Sequence, residues 1–80
     1  MKKSTHTAEY DLLRRELLQM RTDAKLSQRE LASRLRVPHS WVAKVESGER
    51  RIDVVEFLAV CEALNADPLS VIRALRRVKG

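Results

Sequence analysis

Apolar side chains recur along this chain at intervals of three and four, the spacing of one buried stripe on an α-helix. The first stripe is Tyr10, Leu13, Leu17, Met20 and Ala24. Thr7 stands before it as an N-cap, Glu9 and Asp11 fall near the positive end of that helix, and Arg21 and Lys25 near its negative end. Ser27-Gln28-Arg29-Glu30 has the spacing of a capping box, in which the serine hydroxyl and the glutamate carboxylate each accept from a backbone amide of the other. A second helix is expected over 28–35, with Leu31, Ala32 and Leu35 inward. Arg36-Val37-Pro38 ends it: Pro38 disfavours helical geometry at Val37 and suits the opening of a third helix. That helix is expected over 39–47, with Val42 and Val45 inward and Gly48 as its stop. After a loop at 49–52, Asp53 caps a fourth helix over 54–64, buried through Phe57, Leu58, Cys61 and Leu64, and Asn65 supplies a left-handed stop. Asp67-Pro68 opens a fifth, with Leu69, Ile72, Leu75 and Val78 along one side and Arg73, Arg76 and Arg77 beside them. Such short helices are marginal alone and must be held by mutual packing. The fold class is therefore all-α: five helices in one domain over residues 9–80, behind a flexible segment at 1–8.

Composition narrows the picture. Eighty residues can hold one core and no second domain, and a chain this small buries only about 60 % of its unfolded surface. Two Gly and two Pro are too few for the turns of an all-β domain. The aromatics are Tyr10, Trp41 and Phe57 alone, so the core must be aliphatic. The single cysteine, Cys61, excludes an intrachain disulfide and a cysteine-rich zinc site, and fits a reducing, cytoplasmic setting. Met1-Lys2-Lys3 is followed by Ser4-Thr5-His6-Thr7 rather than an apolar stretch, so no signal segment is expected. The longest apolar run, 57–61, is far short of the roughly 20 residues of a membrane span.

Charge is uneven. Residues 1–51 hold twelve basic and seven acidic side chains, and residues 52–80 hold four of each. Basicity confined to one part of a chain points to an anionic partner for that part, nucleic acid first. The stretch 28–47 carries the remaining information. Two short helices meet at a three-residue turn, and small Ala32, one helical turn before the bend, lets the third helix cross the second closely. This is the pattern of a helix-turn-helix.

The segments Leu26-Ser27-Gln28-Arg29-Glu30-Leu31-Ala32 and Val42-Ala43-Lys44-Val45-Glu46-Ser47-Gly48-Glu49-Arg50 resemble the Cro/C1-type (XRE-like) helix-turn-helix family, and residues 57–65 resemble its fourth helix. The resemblance implies a compact five-helix, lambda-repressor-like domain that binds double-stranded DNA, usually as a two-fold dimer, to control transcription. It places the third helix in the major groove. His39, Ser40 and Lys44 match base-contacting positions; lysine can donate to guanine O6 and N7, and serine can contact any base edge. Trp41 either packs on the DNA, at its backbone or a thymine methyl, or covers the edge of the core. Gln28, Arg29, Arg50 and Arg51 match phosphate contacts, and the N-terminal amides of the second helix also favour an anion. Arg21 and Glu46 stand where family members place a structural ion pair between the first and third helices. The fifth helix is the expected dimer element, through Leu69, Ile72, Leu75 and Val78; the alternative is that these four close the monomer core.

Two positions depart from the family pattern. Arg36 stands where many relatives have glycine, and a left-handed arginine costs about 1 kcal/mol. Pro38 stands where relatives often have a capping Ser or Thr. An enzyme is a poor fit: Cys61 falls on an apolar helix face, where free cysteine is commonly a small buried hydrophobe, and only His6 and His39 could assist it. No Cys or His pair has metal-ligand spacing, and no cofactor is implied. The serious rival is a protein-interaction module, such as an antitoxin, acting mainly through a partner, because fold alone does not fix function.

Overall fold

The computed structural model describes residues 7–78. Five helices follow in order: α1 (Ala8–Asp23), α2 (Gln28–Leu35), α3 (His39–Ser47), α4 (Val54–Ala63) and α5 (Pro68–Arg76). Of the segment expected to be flexible, residues 1–6 lie outside the described residues. Thr7 and Ala8 belong to α1: the Thr7 hydroxyl accepts the Tyr10 amide at 3.1 Å, and Ala8 is the first helical residue.

The other starts also have local causes. Ser27 and Glu30 close a capping box, with bonds of 3.0 and 2.8 Å. Asp53 and Glu56 close a second one, of 2.7 and 3.0 Å, at the start of α4. Asp67 caps α5 ahead of Pro68, and Pro38 gives α3 no side-chain cap. The bonds to Ser27 hold the exposed Glu30 carboxyl below its ordinary range.

Three helices end in the same way. Lys25, Arg36 and Asn65 adopt φ of 60°, 58° and 52°. The amide of each reaches back three residues, and the amide after it reaches back five: Leu26 to Arg21, Val37 to Ala32 and Ala66 to Cys61. This is the Schellman closure, made here without glycine, at a cost of about 1 kcal/mol each at Lys25 and Arg36 and less at Asn65. Lys25 had no glycine-like character to announce it. Only α3 ends on glycine, Gly48 at φ 87°.

The core joins Leu17 of α1, Leu31 and Ala32 of α2, Val42 and Val45 of α3, Phe57, Val60 and Cys61 of α4, its C-cap Leu64, and Val71 of α5. Ala32 is 2 % exposed, so the α2–α3 crossing has no room for a larger side chain there. One expectation needs correction: Leu58 is 47 % exposed and Val60 takes its place inside. On α5 the inward anchor is Val71; Leu69 and Ile72 are exposed, Leu75 rests half-buried on the core, and Val78 lies beyond the last helical residue, so the alternative that all four close the monomer core does not hold. No described helix is long and apolar enough to cross a membrane.

Candidate nucleic-acid interface

α3 turns Val42 and Val45 into the core, and its register then sets what faces outward. His39, Ser40 and Lys44 are exposed, and none of their side chains has a partner among the described residues. Arg29, in the first turn of α2, is also exposed and unpartnered. The Gln28 and Arg29 amides precede the first intrahelical bond, so they too are available to an anion.

The far end of α3 is fastened to α1. Arg21 donates through Nε to Glu46 Oε2 at 2.7 Å and through Nη2 to Oε1 at 3.0 Å, and through Nη1 to the Leu26 carbonyl at 2.8 Å. The two side chains are only 12 % and 10 % exposed. The Gln28 amide donates to Glu46 Oε1 at 2.8 Å, so one of its two N–H groups is committed inward rather than to a phosphate. Arg14, two turns before Arg21 on α1, donates to the backbone carbonyl of Glu46 at 3.1 Å and to Asp11. Glu46 is thus held by backbone and side chain from three residues.

Arg14 also lies against Gly48. A Cβ built at position 48 would meet its guanidinium at 3.3 Å, at a φ of 87° that L side chains rarely adopt. Gly48→Ala should therefore lower stability by about 1–2 kcal/mol, a fall of roughly 5–10 °C in melting temperature, read by thermal denaturation.

Trp41 is half-buried rather than outward. It lines a small cavity of about 100 Å³ with Leu35, Val37, Glu56 and Ala59. The Arg50 guanidinium stacks 5.0 Å above its ring. Arg50 grips Glu56 with two bonds, of 3.1 and 2.9 Å, and donates to the Arg51 carbonyl at 2.8 Å. The Arg50 pair, followed by the Asp53 amide, holds the Glu56 carboxyl below its ordinary range, and Glu56 raises Arg50 in turn. The phosphate contact expected of Arg50 thus meets a guanidinium already engaged within the chain. Arg51 is exposed, with its guanidinium 4.9 Å over the Tyr10 ring, and the Tyr10 hydroxyl accepts the Ile52 amide at 2.9 Å.

Sequence reasoning missed four of these roles. Asp53-Val54-Val55-Glu56 repeats the spacing of Ser27-Gln28-Arg29-Glu30, and that signal could have found the second capping box. The Arg50–Glu56 pair, the Arg14 bond to the Glu46 carbonyl and the 3.0 Å bond from Arg34 to the Ala63 carbonyl join elements across loops, where no periodicity exists to read. Cys61 is 1 % exposed, and burial pushes its thiol up, away from the nucleophilic thiolate. Among the described residues no three potential metal ligands cluster.

Comparison with known proteins adds a lineage to this geometry. A family model described as a helix-turn-helix domain matches residues 12–77. An XRE-family like protein from Pseudomonas syringae pv. tomato str. DC3000 is similar at 42 % identity and a TM-score of 0.83, over 89 % of this chain and 87 % of that one. The clp gene regulator ClgR from C. glutamicum is similar at 25 % identity and a TM-score of 0.77, over 89 % of this chain and 92 % of that one. No curated protein matches the chain.

Proposed function

The chain belongs to the XRE-like helix-turn-helix family, and from that membership we infer that it is a DNA-binding transcription regulator that reads duplex DNA with α3 in the major groove. The observation that carries this reading is the register of α3. Val42 and Val45 are 2 % and 3 % exposed, which leaves His39, Ser40 and Lys44 as an exposed, unpartnered set on the opposite side. Residues near the start of a recognition helix reach base edges. The similarity to a protein described as a gene regulator supports the same conclusion.

Roles follow from placement. Lys44 donates to guanine, and His39 and Ser40 contact neighbouring base edges. Arg29, Arg51 and the first amides of α2 take phosphates, with the second N–H of the Gln28 amide beside them. Trp41, Arg50 and Glu56 act together from behind: the stacked and paired guanidinium fixes the indole against α4, and so fixes the pitch of α3. The fastening of Glu46 does the same at the other end. The protein acts as a homodimer, with the exposed Leu69 and Ile72 of α5 as the centre of the contact. Docking of a partner protein is the second reading, and the exposed Val54, Val55 and Leu58 on α4 favour it.

Two variants test the assignment, read by fluorescence anisotropy on labelled duplexes at several salt concentrations. Lys44→Ala should lose about 1–3 kcal/mol on the preferred sequence and relax the preference at one position. Arg50→Ala should cost little stability, because the pair is partly exposed, and leave the salt slope near that of the wild type. A Lys44→Ala protein that binds every duplex as the wild type does would remove α3 from the reading role.

A further inference from the structure

The even charge of residues 52–80 hides a separation. The acids are Asp53, Glu56, Glu62 and Asp67, and every base follows them, beginning at Arg73. Arg73, Arg76 and Arg77 stand three, one and four positions apart, so they share one side of the last turn of α5. All three are exposed. Together they line an open groove of about 350 Å³ that has no acidic side chain among the described residues of its lining. None has a hydrogen bond or ion pair from its side chain to another described residue, whereas Arg14, Arg21, Arg34 and Arg50 each donate to an oxygen of the chain.

Three guanidinium groups around one hollow repel each other. The negative end of the α5 dipole amounts to about half a charge and offsets only part of this. What completes such a groove is an anion with several acceptor oxygens. Guanidinium forks bind carboxylate or phosphate bidentately.

Position decides between the two. Ile72 and Leu75 line one hollow with Ile52, Asp53 and Val54. The last turns of α5 therefore stand beside the segment joining α3 to α4, where Arg50 and Arg51 lie. Arg76 follows Ile72 by four, so the arginines stand one turn beyond the Leu69 and Ile72 dimer contact proposed above, at its rim. Among the described residues the groove is lined by these arginines alone, with no apolar residue to anchor an acidic protein segment. We propose that Arg73, Arg76 and Arg77 form a second phosphate-binding site, which grips the DNA backbone outside the segment read by α3. This rests on the DNA-binding reading above and adds to it a contact that carries affinity without sequence preference.

The test compares the full-length wild type with Arg73→Gln/Arg76→Gln/Arg77→Gln on one duplex, by anisotropy across a salt series. All three side chains are exposed, so the melting temperature should not move. Each arginine on a phosphate contributes about 0.9 to the slope of log affinity against log salt. The glutamine variant should flatten that slope by about two to three and keep the base preference of the wild type. The corresponding triple lysine variant keeps the charge and should keep the slope. A glutamine variant that binds with wild-type slope and affinity would overturn the proposal and leave the groove to an acidic protein segment or to solvent. A wild type that binds no duplex would overturn the DNA-binding reading itself, and the proposal with it.

Discussion

Glu46→Ala should lower the melting temperature by roughly 15–30 °C, because it removes the acceptor on which α1, α2 and α3 meet. Arg21 loses two bonds to the carboxylate and Gln28 loses one. With 12 % exposure, the Arg21 side chain keeps only the Leu26 carbonyl for a charge that water no longer reaches well. Breaking one partner of a pair this buried costs about 3–5 kcal/mol. An 80-residue domain has on the order of 4–12 kcal/mol to lose, so the variant should be close to unfolded at 37 °C. The mechanism has its own signature. Arg21→Met combined with Glu46→Leu removes both charges and should recover part of the loss, so the two substitutions should be clearly non-additive in denaturant titrations. Strict additivity would show that the pair contributes little and that Glu46 matters for another reason.

Phe57→Ala should cost about 3–5 kcal/mol, the second large effect. Phe57 is 6 % exposed and lines the hollow between α1, α4 and α5 with Leu13, Ile52, Ile72 and Leu75. Among the three aromatics it is the one whose whole ring serves packing. Tyr10 accepts the Ile52 amide through its hydroxyl, and Trp41 sits half-buried under Arg50. No single neighbour can fill the space that the ring leaves, since the surrounding side chains are already committed to the core or to the rim of the hollow. Chemical denaturation should show the loss as a lower midpoint with an unchanged slope. The residual folded protein should keep its base preference, because Phe57 touches nothing on the outward side of α3.

Most helix boundaries were legible because their signals are local. Ser27 and Glu30 announce α2, Pro38 announces α3, Asp67-Pro68 announces α5, and apolar spacing fixes the inner sides of α1, α2 and α3. The face of α4 was less legible. Its ten residues contain only two polar ones, Glu56 and Glu62, so apolar spacing alone does not orient it. The overlooked clue was that Leu58 stands one turn before Glu62, on the exposed side, while Val60 keeps step with Phe57 and Leu64. For α5 the row of Leu69, Ile72 and Leu75 has helical spacing, but Val71 turns inward because the Asp67-Pro68 turn sets the rotation of the helix. The outward position of His39, Ser40 and Lys44 follows from helical phase, while their proposed contact with bases comes from the family resemblance. The engagement of Arg50 by Glu56 and Trp41, and of Gln28 by Glu46, depends on where loops bring distant residues, and no spacing in the chain encodes it.

These contacts give the interface a common logic. The proposed base-reading groups His39, Ser40 and Lys44, with Arg29 beside them, are exposed and unpartnered among the described residues, while the groups proposed to aim them are fastened: Glu46 at the end of α3, and Arg50 stacked on Trp41. Pre-ordering of this kind lowers the entropy lost on binding. It also separates two kinds of variant. Under the proposed assignment, changes at Lys44 should alter which sequence is chosen, whereas changes at Glu46 should alter how much protein is folded to choose.

Selection from a random duplex library at about 0.15 M salt, a concentration at which non-specific affinity is weak, tests the central claim most directly. The expected result is enrichment of a near-palindrome whose half-sites lie about one helical turn apart, roughly 34 Å, as a two-fold dimer reading with paired α3 helices requires. A single unpaired half-site would keep the reading helix and remove the dimer. Retention of duplexes with no enriched sequence, through weak and salt-sensitive binding alone, would contradict the claim that α3 reads bases.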